Sequence, residues 1–390
     1  MLRMALALFA VQAGFHGFTA TLPLALARAG VPDPQIGLIV GTAALVQIPA
    51  ALVVGALIDR FGGRRLFVVA GVSYLCGTAI LALPVAEPGA AEWPFLAARA
   101  FQGIGLAAAL PSVLSLVPRL IGPERRGFGL AFMGSAHNLT LTVLPPVTLV
   151  VLDRASLHGV ALLVAGLVLA GLVVSSGVRL AALPEANAGV AAMGVASRRF
   201  GFALRATWIR LILVAMLYVL HWGVVTSYLP QRAEAAGADV GLFFVADGIA
   251  IICLRVPSGW LADRIRPVLL VLAGLGATAV AVGVLVLPAT TPLLVFAGIL
   301  TGASGGLLIT PILVELSRRS GDADRGSAFS LFQASLASAL VLGSIGAAPI
   351  VAAGGFEAAI LASVGGLGLA AIVALSDPWL RTARRGTVDV

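Results

Sequence analysis

The apolar residues of this chain arrive in runs of roughly 20, the length a helix needs to cross about 30 Å of hydrocarbon. Of the 390 residues, 60% are hydrophobic and only 11% are charged. A water-soluble domain of this size could not cover its surface with so few charges, because most of its helices would turn apolar faces to water. The bilayer is therefore the solvent, and the fold class is an all-α membrane protein.

Apolar runs bounded by Pro, Gly and charge place twelve transmembrane helices. The first six are expected over 4–27, 35–57, 66–86, 94–118, 127–151 and 159–181. The second six are expected over 208–231, 240–262, 268–287, 292–316, 327–350 and 356–376. This divides the chain into an N-terminal six-helix bundle (1–181), a polar central loop (182–206), a C-terminal bundle (207–377) and a tail (378–390). The first run, after Arg3, is long, carries Gln12 and His16 and leads straight into another span, so it reads as an uncleaved first helix and not a signal peptide.

Net charge is +8, which raises the question of nucleic acid. Every basic residue is Arg, and the arginines sit in short loops between spans and not on one basic face, which excludes that class. One alternate set of loops holds Arg60, Arg64, Arg65, Arg119, Arg125, Arg126, Arg198, Arg199, Arg205, Arg264, Arg266, Arg318, Arg319 and Arg325. Arg3 and the tail residues Arg381, Arg384 and Arg385 fall on the same side, and the opposite loops offer little beyond Arg28, Arg154 and Arg232. Positive loops stay in the cytoplasm, so both termini and the central loop are expected there, in an inner membrane. Cys76 and Cys253 lie in apolar runs far apart and read as small apolar packing residues, with no metal or disulfide pattern.

The two halves repeat. Helix 2 ends in Gly55-Ala-Leu-Ile-Asp59-Arg60 and helix 8 in Gly259-Trp-Leu-Ala-Asp263-Arg264. Pro123-Glu-Arg-Arg-Gly127 follows helix 4, and Asp322-Ala-Asp-Arg-Gly326 follows helix 10. Helices 1 and 7 close on Thr21-Leu-Pro23 and Tyr228-Leu-Pro230. Such internal repeats are common in transporters.

On these residues the chain resembles the major facilitator superfamily over essentially its whole length. The family's loop motif, G-x-L-x-D-R-x-G-R-R/K, is matched by Gly55, Leu57, Asp59, Arg60, Gly62 and Arg64, with Gly63 where a basic residue is usual. The second copy keeps Gly259, Leu261, Asp263 and Arg264 and then diverges. The two glycines are expected to let helices approach closely. The two aspartates are expected to accept charge-assisted hydrogen bonds near helix N-termini. The resemblance implies that these contacts lock the outward-facing state and break as the transporter alternates. Arg99-Ala-Phe-Gln102-Gly103-Ile-Gly105 is similar to the family's R-x-x-Q-G-x-G segment, which implies proton coupling for Arg99 and a helix contact for Gln102. The G-P-x-x-G mark of many proton-linked drug exporters is missing from helix 5. There Gly134-Ser-Ala-His137-Asn138-Leu-Thr-Leu-Thr-Val-Leu-Pro145-Pro146 carries paired prolines expected to bend or unwind the helix.

In that architecture helices 1, 4, 7 and 10 surround a central cavity, with 2, 5, 8 and 11 beside them. Polar groups placed to line it are Gln12, His16, Arg99, Gln102, His137, Asn138, His221, Trp222, Tyr228, Asp247, Arg255 and Gln333. Arg99 should face the protein interior, since a charge in hydrocarbon is costly. Asp247, the one acid well inside a span, is the first choice for a proton-titrating or cation-contacting group, against a structural ion pair. Arg255 lies eight residues on, about 12 Å along the helix, too far to pair with it directly, and reads as structural. The intramembrane histidines can carry protons or hold an anionic or metal-chelating substrate. No HExxH, Cys/His cluster, nucleophile–base set or P-loop is present, so the chain is not expected to be an enzyme or to need a metal or cofactor. The expected function is secondary transport of a small solute by alternating access, as proton-coupled efflux of a small organic compound. The alternatives are uptake of a small metabolite and a non-transporting sensor or lipid-handling protein on the same fold. The expected partners are the substrate, protons and lipid, with the chain acting as a monomer.

Overall fold

The computed structural model describes residues 1–83, 91–121, 126–178, 208–262, 264–319 and 325–377. The central loop and the tail expected from the sequence lie almost wholly outside them, as do Pro123–Arg125, Asp263 and Asp322–Asp324. Helices α1 (Leu2–His16) and α2 (Thr21–Arg28) make one crossing, separated by a single turn over 17–20. Then come α3 (Asp33–Phe61), α4 (Gly63–Leu81), α5 (Trp93–Ile121) and α6 (Arg126–Ser176). The second half runs through α7 (Ile209–Ala235), α8 (Val240–Ala262), α9 (Pro267–Gly283), α10 (Thr291–Arg319), α11 (Arg325–Val341) and α12 (Ala348–Ser376). A 3₁₀ turn, Val284–Val286, follows α9, and a π-helical stretch, Leu342–Gly346, follows α11.

Nine helical stretches of the described residues are long and apolar enough to cross a membrane, and two shorter apolar helices lie over Val240–Leu254 and Leu331–Gly346. One of the nine, Phe132–Ser176, is 45 residues long and holds two crossings. It folds back at Ala155 and Ser156, where Ser156 has φ 62° and ψ −179°. In the second half the fold-back between crossings eleven and twelve falls at Gly355, with φ 75° and ψ −179°. Among the described residues these make twelve crossings, with a positive-φ turn at the same place in each half, before the sixth and before the twelfth. Val173, Leu162 and Ile372, each 65–70% exposed, stand on surfaces that only lipid can cover.

Two local expectations fail, and one boundary moves. The first crossing ends at Arg28, one residue past the expected 27, while the seventh runs on past the expected 231 to Ala235, because a proline removes one backbone bond without forbidding the next turn. Pro145 and Pro146 lie within continuous helix, and Thr148 Oγ1 donates to the Leu144 carbonyl (2.8 Å) beside them. Cys76 and Cys253 are exposed and not packed inside.

Buried apolar side chains between residues 4 and 178 form one core, including Leu8, Phe67, Phe95 and Met133. The second half has one cluster around Leu308 and Phe332 and another around Tyr228, Phe243 and Phe356, which takes in Ala20 from the first half. Within each bundle, small residues bring backbones together as lipid-embedded packing requires. A Cβ on Gly103 of α5 would lie 3.0 Å from Val46 Cβ on α3 and against the Ala43 carbonyl, and Gly302 of α10 packs in the same way on the backbone of Asp247 in α8.

Between bundles, the close approaches gather at the face opposite the one where Met1 and Gly62 lie. We call these the distal and the terminal face. Gly37 and Gly41 of α3 abut Tyr228 of α7 and Ser344 and Ile345 of the π-helical stretch, while Gly248 of α8 abuts Thr142 of α6. Arg28 spans the bundles at the distal rim, donating from Nε to Glu234 Oε1 (2.7 Å) and from a terminal nitrogen to Asp153 Oδ1 (2.7 Å). At the terminal end of α3 the packing differs. Gly55 is exposed, with nothing within 4 Å of where a Cβ would stand, so the close approach expected there is not made in this conformation.

These contrasts set a test of packing. Replacing Gly103 by Val forces atoms into the α3–α5 seam and should cost about 1–3 kcal/mol, seen as a lowered thermal midpoint in detergent. Gly55→Ala should hold or raise the midpoint, since mid-helix Ala is favoured over Gly by roughly 0.5–1 kcal/mol and meets nothing. Equal losses for the two variants would contradict the packing described.

Candidate functional site

Arg99 sits in the middle of the first bundle and is 3% exposed. Its position follows from the residues around it. Gly103, one turn further on, lets α3 come close enough for an Arg99 terminal nitrogen to reach the Val40 carbonyl (2.8 Å). Gln102, on the same face, accepts from the other terminal nitrogen (2.8 Å). The guanidinium lies over the Phe15 ring, 4.7 Å from its centroid, a cation–π contact that strengthens as water is removed. Gly105 leaves room for the ring of Tyr74: a Cβ there would lie 2.6 Å from Tyr74 Cε1. Each polar or glycine position of the R-x-x-Q-G-x-G segment thus has a packing reason. Nε of Arg99 and Nε2 of Gln102 are buried without a hydrogen-bond partner.

A second chain of polar contacts runs beside it. Tyr74 O–H donates to Gln12 Oε1 (2.8 Å), and the amide nitrogen of Gln12 donates to His137 Nδ1 (2.6 Å). With the Gln12 amide in this orientation, His137 accepts at Nδ1. His16 stands edge-on to His137, ring centroids 5.2 Å apart, is 7% exposed, and has no hydrogen-bond partner at either ring nitrogen.

Arg99 and His16 open onto a cavity between the bundles. The first half contributes Phe15, His16, Thr19, Val40, Gly41, Ala44, Arg99 and Leu141; the second contributes Trp222, Gly223, Thr226, Leu340 and Ser344. Its volume is about 60 Å³, room for water but not for an organic solute. Trp222 is held by stacking on Phe243 (centroids 6.2 Å apart, 28° between planes) and an edge contact with Phe244.

Other residues singled out by sequence fall elsewhere. His221 is buried behind Trp222 with Nδ1 against the Tyr218 carbonyl. Tyr228 donates to the Ser344 carbonyl (2.7 Å) as part of the distal closure. Asp247 is 6% exposed on the α8–α10 seam, hydrogen-bonded by Thr301, and does not line the cavity. Asn138 and Gln333 are half-buried and also stand outside it. Gly259 falls within α8, and the side chains of Asp59 and Arg255 and the residue Asp263 lie outside the described set. Among the described residues no cluster of His, Cys, Asp and Glu could hold a metal ion. Sequence reasoning missed Tyr74, Phe15, Thr19, Thr226 and Ser344. Tyr74 carried a readable signal, since an O–H placed inside an apolar run demands a partner.

The loop motif is partly visible. Gly62 has φ 83°, a left-handed conformation, and ends α3 while starting α4. Gly63 packs on α5, where a Cβ would meet the Ser112 carbonyl at 2.6 Å, so the basic residue usual in the family has no room. Arg64 donates to the Ser176 carbonyl (2.6 Å) at the end of α6, a C-terminal cap within its own bundle. Arg60, exposed, lies over the Phe61 ring.

Two six-helix bundles that repeat one another and meet around a shared cavity define a polytopic transporter fold. The chain belongs to the major facilitator superfamily: the model described as Major Facilitator Superfamily matches residues 4–239 and 211–387. It is thus a multi-pass membrane protein of a transporter family. It is 37% identical over 100 residues to the 3-(3-hydroxy-phenyl)propionate transporter of Escherichia coli K12, covering 25% of this chain and 23% of that one. Over 147 residues it is 26% identical to the inner membrane transport protein YajR of the same organism, covering 38% of this chain and 31% of the relative. The matches therefore span about a quarter to a third of these curated relatives. Among solved structures, a D-xylose–proton symporter aligns with TM-score 0.73 at 18% identity, covering 96% of this chain and 95% of that one. The nucleoside transporter NupG, as a D323A mutant, aligns with TM-score 0.76 at 12% identity, covering 96% and 99%. These structural likenesses show the fold.

The Tyr74–Gln12–His137 chain sets a prediction. Tyr74→Phe leaves the Gln12 carbonyl buried without its donor, a cost of about 1–3 kcal/mol. The thermal midpoint should fall, and His16→Leu, which breaks no hydrogen bond, should fall less.

Proposed function

We propose that this protein moves a small organic compound across an inner membrane by alternating access, as a monomer, with flux coupled to protons. The observation that carries the reading is the cavity itself: both bundles line it, Arg99 and His16 open onto it, and the distal rim above it is shut by Tyr228, Gly37 and the Arg28 contacts. Such a site becomes reachable from one side or the other only when the bundles rock. The arginine excess of the terminal-face loops supports a cytoplasmic terminal face, with both ends of the chain on that side. The distal closure then belongs to a state that exchanges with the cytoplasm. The name of one relative, an inner membrane transport protein, agrees with that membrane.

Coupling draws on the charges held away from water: Asp247 in the second bundle, and Arg99 with its neighbouring histidines in the first. Alternating access has no built-in direction, so the coupled gradient sets it. Export, the direction we favour, rests on the family resemblance. The Gly55-to-Arg64 motif and its second copy act in the opposite state: Gly55, open here, gains its close neighbour when the terminal halves meet.

Proteoliposomes with an imposed pH gradient test the coupling. Wild-type protein should accumulate solute against its gradient, and Asp247→Asn should abolish accumulation while leaving exchange intact. Flux indifferent to the pH gradient overturns coupling. The rocking is tested separately with spin labels at Ala29 and Ala236, in a background lacking Cys76 and Cys253. Arg28→Glu should lengthen the label distance, shifting the two states by a few-fold, the scale of an exposed ion pair worth about 0.2–1 kcal/mol. Gly55→Leu should slow flux several-fold with the thermal midpoint kept. An unchanged distance in Arg28→Glu together with unchanged flux in Gly55→Leu would refute the assignment of the two faces.

A further inference from the structure

Arg99 is a charged group buried in the first bundle, and the partners around it are neutral: the Gln102 amide, the Val40 carbonyl and the face of Phe15. A buried cation ordinarily finds a carboxylate. The buried acids among the described residues are Asp247, Glu315 and Asp377, all in the second half, and none lines the cavity onto which Arg99 opens. His16, on the same cavity wall, is more than nine-tenths buried with both ring nitrogens unpartnered, and Nε of Arg99 is unpartnered as well. A site with donors held out of water and no acid to receive them is built for an acceptor that arrives from outside.

The remaining walls describe the rest of that ligand. Phe15, Leu141, Trp222 and Leu340 are apolar, two of them aromatic, while Thr19, Thr226 and Ser344 supply hydroxyls. Trp222 is fixed in place by Phe243 and Phe244, giving the second bundle a rigid flat surface opposite the cation. We propose that the substrate is a small organic monoanion, a carboxylate on an apolar and preferably planar body, with its carboxylate on Arg99 and His16 and its body against Trp222 and Leu141. One fixed positive charge suits a single negative one, and the guanidinium fork suits the two oxygens of a carboxylate. Because the ligand would touch both bundles, it would also carry information between them: the acid end held by the first, the body by the second. The inference rests on the transporter reading above and deepens it by naming the substrate class.

The test compares each acid with its neutral isostere. Purified protein is incubated with benzoate, cyclohexanecarboxylate or octanoate, and with the corresponding amides, and the thermal midpoint is followed with concentration, since a ligand binding the folded form raises it. At least one acid should bind ten-fold or more tightly than its amide. Arg99→Gln should abolish that preference, Arg99→Lys should restore part of it, and His16→Leu should weaken it. If Arg99→Gln fails to fold, the His16→Leu variant carries the test. No preference of any acid over its amide, or an equal response to chloride, overturns the proposal. Flux of the preferred acid into proteoliposomes then separates the two readings. Transport of neutral or cationic solutes without acid preference sinks the anion site and spares the transporter. Acid binding that depends on Arg99 without any flux does the reverse.

Discussion

A positive charge kept in the low-dielectric middle of a helix bundle must be satisfied there, and much of the first bundle is arranged around doing so for Arg99. Its two terminal nitrogens reach a carbonyl on α3 and an amide on its own helix, and its face rests on Phe15. The α3 carbonyl is within reach because Gly103 removes the side chain that would hold the helices apart. Gly14 and Gly105 make the slot for Tyr74, whose hydroxyl orients Gln12, which in turn donates to His137. What looks like a list of scattered polar residues is one connected frame, with His16 and one edge of Arg99 left facing the cavity.

The frame is buried and hydrogen-bonded, and the contacts between bundles are of another kind. At the distal rim they are backbone-close packing at Gly37, Gly41 and Gly248, together with exposed ion pairs from Arg28. Arg28, Asp153 and Glu234 keep 38–59% of their side-chain surface exposed, so their attraction is screened and modest. A transporter needs this imbalance. If the inter-bundle seam were as tightly built as the Arg99 frame, one state would trap the protein, and a population shift between states separated by only a few kcal/mol would be out of reach.

The spans, the repeat and the family were legible in the sequence because they rest on hydrophobic length and on punctuation, both of which are local. Arg99 and Gln102 could be placed indoors for the same reason: a charge inside a 20-residue apolar run has nowhere else to go. Partnerships between helices were not legible. Gln12, Tyr74 and His137 lie on three different spans, and their juxtaposition depends on helix rotation, which periodicity cannot supply when every face of a helix is apolar. The same limit hid the role of Gly63. By spacing it is a lapse from the family motif; in three dimensions it is the residue that lets α4 sit on α5. Pro145 and Pro230 misled in the other direction, since a proline marks a helix end in water more dependably than in a bundle whose neighbours re-satisfy the freed carbonyls.

The repeat also shows where the halves have diverged. In the register set by the two loop motifs, Ala43 of α3 and Asp247 of α8 occupy the same position. Both back onto a glycine of the neighbouring helix, Gly103 in one bundle and Gly302 in the other. The shared backbone approach is the inherited part. Onto it the first bundle has placed a cation on the neighbouring helix, and the second has placed an acid on the helix itself. Two symmetry-related sites would bind alike and titrate alike. Under the coupling proposed above, the unlike charges would let one bundle hold a ligand's charge while the other exchanges a proton, so that filling one site changes the electrostatic cost of the other. A pseudo-symmetric scaffold with asymmetric charges thus supplies what coupling requires: two different binding events that both bias the same rocking motion.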